Sequence, residues 1–409
     1  MVVHLWSVKV LKQTYSTENL AKVIRKRHII AWNLWCNNQQ KGTKLEELIL
    51  KIIDNNYKLN GVLNRQKFNG KFAYFPTCAE DFCAIKLADY FIRRIYKIQQ
   101  ADRRKIIKQL KVVLSDGLSY GLIKLDISDF YESINFEKVI MTIQNEMIIG
   151  HETISILQSV LEKVGCVTTG LPRGLGISSS LSELFMRSID REIRKIEGVF
   201  FYIRYVDDII IIYDNKYDIS SLVRNILQRN NLSENEKKKK SIIISENRDK
   251  VHDFEFLGYN FKILENKKSN KITIKITDKK INKQKTRISS AFIHYSKDHD
   301  FSMLKRRLRF LSGLVLLNDD ERGRLYAGNA YNYSEISEDR CLFELDQYLY
   351  SILSGNGRIG KKVTELLTSE QKNKLMRISF KQGFNKKFRF FYSRNQVANI
   401  KKAWGDAQC

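Results

Sequence analysis

The chain has 409 residues, with 71 Lys and Arg against 45 Asp and Glu, a formal net charge of +26 and 43% hydrophobic residues. That length allows two or three domains, or one body with several subdomains, and the apolar content is enough for an ordinary core. So basic a chain attracts polyanions, nucleic acid first and an anionic membrane surface second, the alternative being a codon bias toward Ile, Lys and Asn that supplies much of the charge. The six cysteines, Cys36, Cys78, Cys83, Cys166, Cys341 and Cys409, form no CxxC pair, and the six histidines are scattered, which excludes the usual zinc spacings. Met1 to Val10 is too short an apolar stretch for a secretory leader and carries His4 and Lys9. No apolar run approaches the ~18 residues of a membrane span. The expectation is a soluble, cytoplasmic protein with no membrane partner.

In chain order, only Pro76 and Pro172 break the backbone, so long helices are expected, and no repeat is evident. Residues 1 to about 115 read as mostly helical and basic. Gly121 to Asp126 reads as a short apolar strand ending in an acid; a helical stretch and then a loop from Gly170 to Gly176 follow. From Ser178 to Ile196 an amphipathic helix is expected, with Leu181, Leu184, Ile189, Ile193 and Ile196 at near-helical intervals and Ser180 and Glu183 at capping-box spacing. Two apolar strands, Val199 to Arg204 and Ile209 to Tyr213, separated by Tyr205 to Asp208, have the signature of a hairpin. The lysine run Lys237 to Lys240 precedes a β pair around Phe254 to Ile263 and Lys271 to Ile276, and from about Ile281 the chain reads helical to its end. The fold class is α+β.

Asp126 ends its strand, and Asp207 and Asp208 sit at the tip of a hairpin whose strands are too apolar for the surface. Ionised carboxylates crowded at the ends of buried strands repel unless a cation compensates. Mg²⁺ suits oxygen ligands of this kind, and two such ions, with Mn²⁺ as a substitute, can activate a hydroxyl and stabilise a departing oxygen. Adjacent strand residues point to opposite faces, so Asp207 and Asp208 are not equivalent ligands. Taken alone, an Asp-Asp pair at a hairpin is an ordinary turn.

The order of motifs changes that weight. Tyr205-Val206-Asp207-Asp208 resembles the YxDD box of reverse transcriptases, and Leu125-Asp126-Ile127-Ser128-Asp129-Phe130-Tyr131 resembles their first acidic motif. Leu171-Pro172-Arg173-Gly174 resembles the motif after the fingers, with Arg173 where Gln is usual, and Phe256-Leu257-Gly258-Tyr259 resembles the segment that grips the primer. Asp129 to Ile134 and Pro172 to Ser178, continuing to Glu183, are similar to the abortive-infection and "unknown group" reverse transcriptases of bacterial antiphage defence.

The resemblance implies a right-hand polymerase fold: an N-terminal helical region and fingers over 1–115, a palm over 116–265 with a fingers insertion around 132–170, and a helical thumb and C-terminal region over 266–409. It implies a DNA polymerase using dNTPs and an RNA template, a noncoding RNA in particular, with Asp126, Asp207 and Asp208 catalytic and Asp126, Ile127, Asp207 and Asp208 at the metal ions. Tyr131, beside Phe130, would be the sugar gate that collides with a ribose 2′-hydroxyl. Arg173 would meet the incoming nucleotide, Arg103 and Arg104 its triphosphate, and one lysine of the 237–240 run, Lys240 for preference, would protonate pyrophosphate. Tyr205, Leu257 and Gly258 would contact nucleic acid. Independently of the family, Leu304, Leu308, Leu311 and Val315 read as one helix face, with Lys305, Arg306, Arg307 and Arg309 elsewhere on it, suited to a duplex backbone. Lys386 to Tyr392 interleaves charge and rings, which suits single strands or a closing helix or strand. Relatives include protein-primed, template-independent polymerases and oligomers or complexes with partner proteins. A silent RNA-binding scaffold and an RNA-dependent RNA polymerase remain as rivals, the second disfavoured by the bulk of Tyr131.

Overall fold

The computed structural model describes residues 12–68, 70–165, 170–245, 250–266, 268–319 and 323–405. Met1 to Val10, Cys166 and Cys409, singled out above, lie outside them. The chain divides into two compact units that are discontinuous in sequence: Met1–Ala101 with Tyr120–Ile243, and Asp102–Ser119 with Ile244–Cys409.

The first unit is mainly helical around one mixed core. It also contains a hairpin that the helical reading of the N-terminal region missed: β1 (Leu63–Phe68) pairs antiparallel with β2 (Lys71–Pro76). β1 carries Asn, Arg, Gln and Lys and buries only Leu63, so its sequence shows no apolar alternation. The central sheet consists of β3 (Tyr120–Asp126), β4 (Val199–Tyr205), β5 (Asp208–Tyr213) and β6 (Lys240–Ile244), in the order β4-β5-β3-β6. The two inner strands read Leu-Ile-Lys-Leu and Ile-Ile-Ile-Ile, and Leu122, Ile123, Leu125 and Ile209 to Ile212 are buried, as strands covered on both sides require. The edge strand β4 is less enclosed than its composition suggests, with Phe200 59% exposed.

Helix Gly176–Arg194 packs against β4 and against helix Ala79–Ile95, burying Ile177, Leu181, Met186, Ile189 and Ile193. The helix begins two residues earlier than its periodicity suggested, and Ser180 and Glu183 do not form a cap. Ser180 is inside the helix, donating to Asp89 Oδ1 at 2.5 Å, and Glu183 binds Arg204.

In the second unit, β7 (Val251–Phe256), β8 (Tyr259–Leu264) and β9 (Lys271–Ile276) form an antiparallel meander. Leu257 and Gly258, with φ of 49° and 79°, make the two-residue turn between β7 and β8. The rest is helical except for a small sheet, β10 (Leu314–Asp319), β11 (Gly323–Ala327) and β12 (Arg389–Tyr392), in the order β11-β10-β12. This corrects the reading of the C-terminal region as helical throughout. Leu304, Leu308 and Leu311 are buried on helix Phe301–Ser312, but the helix ends at Gly313 and Val315 belongs to β10. Arg307, expected on the basic face, is buried, its Nη1 3.8 Å from an Asp298 carboxylate oxygen. No described helix is long and apolar enough to cross a membrane.

Candidate active site

The register of the central sheet brings the acids together. In the antiparallel pairing of β3 with β5, Asp126 lies directly opposite Asp208. Directly opposed residues share a face, with Cβ atoms roughly 4.5–5.5 Å apart. β4 and β5 close through the two-residue turn Val206-Asp207, in which Val206 takes φ of 60°. A β-branched residue in the left-handed region costs on the order of 1–3 kcal/mol, so the surroundings must hold it there.

Two sets of contacts do so. The Ile127 N–H donates to the Asp207 carbonyl at 3.0 Å, tying the end of β3 to the turn. Arg204, buried one residue before the YxDD box, donates through Nη1 to the Val206 carbonyl at 3.0 Å. Its guanidinium is held bidentately by Glu183 at 3.0 and 2.8 Å and by Asp190 at 2.8 and 2.9 Å, and Asp190 also accepts from the Tyr202 hydroxyl at 2.7 Å. The turn that presents Asp207 is therefore clamped to helix Gly176–Arg194 by a buried, fully paired cation.

Burial, and then the charge of Asp126, push the Asp207 carboxyl above its usual range. Burial followed by the charge of Asp207 raises Asp208 to about 6. Lys238 answers part of this negative charge: its ammonium is 3.0 Å from both carboxylate oxygens of Asp126, and its own pKa is raised, chiefly by that hydrogen bond. Asp126 is buried, and its carbonyl accepts from the Asn235 N–H at 2.8 Å, which fixes the 233–239 segment beside it. Of the lysine run, Lys238 rather than Lys240 stands at the acids; Lys240 opens β6, and Lys239 binds Glu234 and the Ser220 hydroxyl.

The donor set suits a hard divalent cation, because carboxylate oxygens that repel one another in a partly buried site are what such an ion neutralises. Among the described residues, no three His, Cys, Asp or Glu side chains are gathered closely enough to hold a metal as they stand. The Lys238 ammonium is the cation at Asp126, and an ion would have to displace it.

Around the acids, Phe130 is buried and Tyr131 half-buried, with ring centroids 5.3 Å apart. Burial raises the Tyr131 hydroxyl pKa, against the lowering by a Ser182 hydrogen bond and by Arg173, with the charge of Asp207 a further raising cause. Arg173 lays its guanidinium over the Tyr131 ring at 5.0 Å and binds Glu132 at 2.6 and 2.9 Å, an edge and a face both engaged. The β1–β2 hairpin delivers Lys71, 2.8 Å from Asp129 and 3.6 Å from Glu132, and Tyr74 N–H donates to the Arg173 carbonyl at 2.7 Å. Gly174, with φ of 90°, permits that approach: a Cβ there would lie 2.6 Å from the Tyr74 carbonyl oxygen.

Asp126, Ile127, Phe130, Tyr131, Arg173, Tyr205, Asp207 and Asp208 are thus one cluster within the first unit. Lys240, at the start of β6, is also in the first unit, and the remaining candidates belong to the second. Arg103 donates to the Leu257 carbonyl at 3.0 Å through Nε and to the Asn332 carbonyl at 3.0 Å, with its face 4.9 Å from the Tyr259 ring. Arg104 binds the Ser334 hydroxyl. Both arginines are engaged in building that unit, a role the expectation of triphosphate contacts did not include. Lys305, Arg306 and Arg309 are half-buried on helix Phe301–Ser312. Reading the sequence missed Lys71, which opens β2 in a hairpin whose first strand shows no apolar alternation, and Arg204, whose signal was visible: a lone cation in an otherwise apolar strand.

Residues 82–261 match the family model described as reverse transcriptase (RNA-dependent DNA polymerase). No curated protein matches the chain. Among solved structures, apo telomerase from Candida tropicalis truncated from its C-terminal domain matches at 14% identity, over 61% of this chain and 50% of that one, with a TM-score of 0.34. Telomerase from Candida tropicalis in complex with a TWJ fragment of telomeric RNA matches at 12% identity, over 90% and 66%, with a TM-score of 0.37. The Candida albicans telomerase in complex with a TWJ fragment matches at 12% identity, over 79% and 54%, with a TM-score of 0.32. The chain spans between 50% and 66% of the length of these structures. The four-stranded sheet with its acids at one end, inside the matched residues, is the palm of a right-hand polymerase fold of mixed helix and sheet. More narrowly, residues 82–261, the part of the chain that the family model matches, are similar to a reverse-transcriptase domain.

Proposed function

We propose that the chain is an RNA-directed DNA polymerase in which Asp126, Asp207 and Asp208 are the catalytic carboxylates. One observation carries the reading. Within a reverse-transcriptase domain, two acids from separate strands face each other across a ladder while the third sits in a clamped turn beside them. A primer hydroxyl attacks the α-phosphate of a dNTP and pyrophosphate leaves. Asp126 and Asp207, with the Ile127 backbone, would hold Mg²⁺, which when bound supplies Lewis-acid stabilisation of the charge on the transferring phosphoryl group. Tyr131, fixed between Phe130 and Arg173, sets the width of the sugar site and keeps out the ribose 2′-hydroxyl. Lys71 and Arg173 are the cations placed to meet phosphate, and Lys238 is the ammonium placed to give a proton to departing pyrophosphate.

The template in this reading is a noncoding RNA and the setting bacterial antiphage defence, supported by the similarity of residues 129–134 and 172–183 to the defence-associated reverse transcriptases. A second reading, an RNA-binding scaffold without catalysis, is favoured by the Lys238–Asp126 ion pair and by the lack of a ready three-ligand cluster among the described residues. Primer extension on an RNA template with Mg²⁺ and dNTPs separates the two. The polymerase reading requires incorporation by the natural chain and its loss in Asp207→Asn with Asp208→Asn. Incorporation that survives the double substitution removes these acids from catalysis, and no incorporation by the natural chain on any primer favours the scaffold.

A further inference from the structure

The second unit contains a cavity of about 500 Å³ that none of the polymerase chemistry uses. Its walls come from three separate stretches of chain. Lys305 and Arg309 project from helix Phe301–Ser312, Lys374 and Arg377 lie at the end of helix Ser369–Met376, and Arg389 lies in β12 between Phe388 and Phe390. The position of β12 is set by parallel pairing with β10, where Arg389 meets Leu314 and Phe390 meets Val315, and by the Leu314 N–H donating to the Phe388 carbonyl at 2.8 Å.

No carboxylate lines the cavity among the described residues. Glu370 reaches one member, Lys374, at 2.5 Å from the adjacent turn of the same helix. Asp346 stands behind the lining residue Ser379, its carboxylate taken up by the Ser379 hydroxyl at 2.7 Å and the Phe380 N–H at 2.5 Å at the start of helix Phe380–Asn385. The cations therefore face one another: the Lys305 ammonium is pushed below its usual range first by Arg309, then by burial, then by Lys374. Like charges spread over a convex surface are solvated individually. Gathered in a concavity they raise the local potential and draw an anion. The rings add a second kind of contact. Arg309 already covers Phe390, at 5.5 Å from its centroid, whereas Phe388 is 41% exposed and offers an open face. Guanidinium groups suit phosphate oxygens, and an exposed ring beside them suits a base.

We propose that this cavity binds a nucleotide unit of single-stranded nucleic acid, its phosphate among Lys305, Arg309, Lys374, Arg377 and Arg389 and its base on Phe388. The inference rests on the polymerase reading only in taking the strand to be template or product; binding itself needs no incorporation.

The test uses the full chain and a fluorescein-labelled single-stranded 12-mer, with anisotropy measured across a salt series. Arg377→Gln with Arg389→Gln is expected to weaken binding at least tenfold and to reduce the slope of log affinity against log salt by roughly 1.4, two contacts at about 0.7 each. Phe388→Ala is expected to weaken binding several-fold with the slope unchanged. Unchanged affinity and slope in the double variant overturn the proposal. AMP and inorganic phosphate as competitors identify the moiety: AMP competing at lower concentration supports a nucleotide site, and equal competition overturns it in favour of a bare anion site. Saturable AMP binding, lost in the double variant, would assign the free nucleotide as an occupant with the same chemistry, and strand binding without it assigns the polymer. A 12-mer carrying 4-thiouridine, photolysed on the natural protein, is expected to cross-link within residues 386–394. Cross-links confined to other peptides overturn the proposal without relying on any variant folding. Asp207→Asn with Asp208→Asn should leave the cross-link in place, so a failed polymerase reading and a failed cavity remain distinguishable.

Discussion

Lys238 holds both carboxylate oxygens of Asp126 at 3.0 Å, so the ammonium occupies the place where a divalent ion would neutralise the acid. Binding of the ion and the Lys238 contact are then competitive. Lys238→Gln removes the competitor and is expected to lower the Mg²⁺ concentration for half-maximal thermal stabilisation by several-fold; a tenfold change corresponds to about 1.4 kcal/mol. If Lys238 also protonates pyrophosphate, kcat falls in the same variant while metal affinity rises. Unchanged metal titration would mean that ion and ammonium do not share Asp126.

The pH dependence of the metal-free protein follows from Asp208. Burial first, and then Asp207, raise its folded pKa to about 6 from the ordinary 3.8. A carboxyl with a raised folded pKa binds its proton more tightly in the folded state, so the folded chain holds more protons than the unfolded one between those values. Stability contributed by this group is thus fully present below pH ~4 and falls as pH rises to ~6. With metal chelated, Asp208→Asn is expected to raise Tm at pH 7.5 by a few degrees and to flatten the pH 4–6 slope. A Tm at pH 7.5 no higher than that of the natural chain would show that the charge of Asp208 is not destabilising.

Arg204 is predicted to be a positioning residue. It is 9% exposed and binds Glu183, Asp190 and the carbonyl of Val206, whose φ is 60°. Arg204→Met leaves the buried Asp190 and the part-buried Glu183 without their cation, a loss of about 3–5 kcal/mol in chemical denaturation. Arg204→Lys keeps the charge but not the forked geometry; it should recover part of the stability while incorporation stays depressed, because the turn is no longer tied at the Val206 carbonyl. Full activity in Arg204→Lys would show that charge alone suffices.

What the sequence disclosed depended on how local each signal was. β3, β4 and β5 are apolar runs bounded by polar residues, and the burial of β3 and β5 enforces the pattern there, so the hairpin and its acids were readable. β1 exposes all but Leu63 and so leaves no alternation to read. The helix Phe301–Ser312 was extended to Val315 because the apolar spacing continues in phase past Gly313, where the backbone leaves the helix for β10. β10 then pairs with β12, some 75 residues on, and no local pattern announces a partner at that distance. The choice between Lys238 and Lys240 rested on the path of residues 233–239, set by the Asn235 N–H to Asp126 carbonyl bond, which a run of four lysines does not encode.

Gly174 is predicted to be irreplaceable for a backbone reason. Its φ of 90° suits glycine, and a Cβ would meet the Tyr74 carbonyl oxygen at 2.6 Å, the point at which the β1–β2 hairpin joins the loop carrying Arg173. Gly174→Ala should cost about 1–3 kcal/mol and raise KM for dNTP more than it lowers kcat, since Lys71 and Arg173 shift together. Unchanged stability and KM would show that the hairpin does not depend on this contact.

Tyr131 tests the sugar site most directly. Its ring is set before any substrate arrives: the Arg173 guanidinium lies 5.0 Å above it, Phe130 packs at its edge at 5.3 Å, and its hydroxyl shares surroundings with Ser182 and Asp207. A wall fixed in this way discriminates by bulk, and bulk of this size is worth roughly 10–200-fold in kcat/KM. Tyr131→Ala is therefore expected to reduce the preference for dNTP over rNTP by that order, mainly through improved use of rNTP. Tyr131→Phe keeps the ring and should keep the preference, losing only what the hydroxyl contributes near Asp207. Equal loss in both variants would assign discrimination to the hydroxyl, and no loss in either would remove Tyr131 from the sugar site while leaving the carboxylates unaffected.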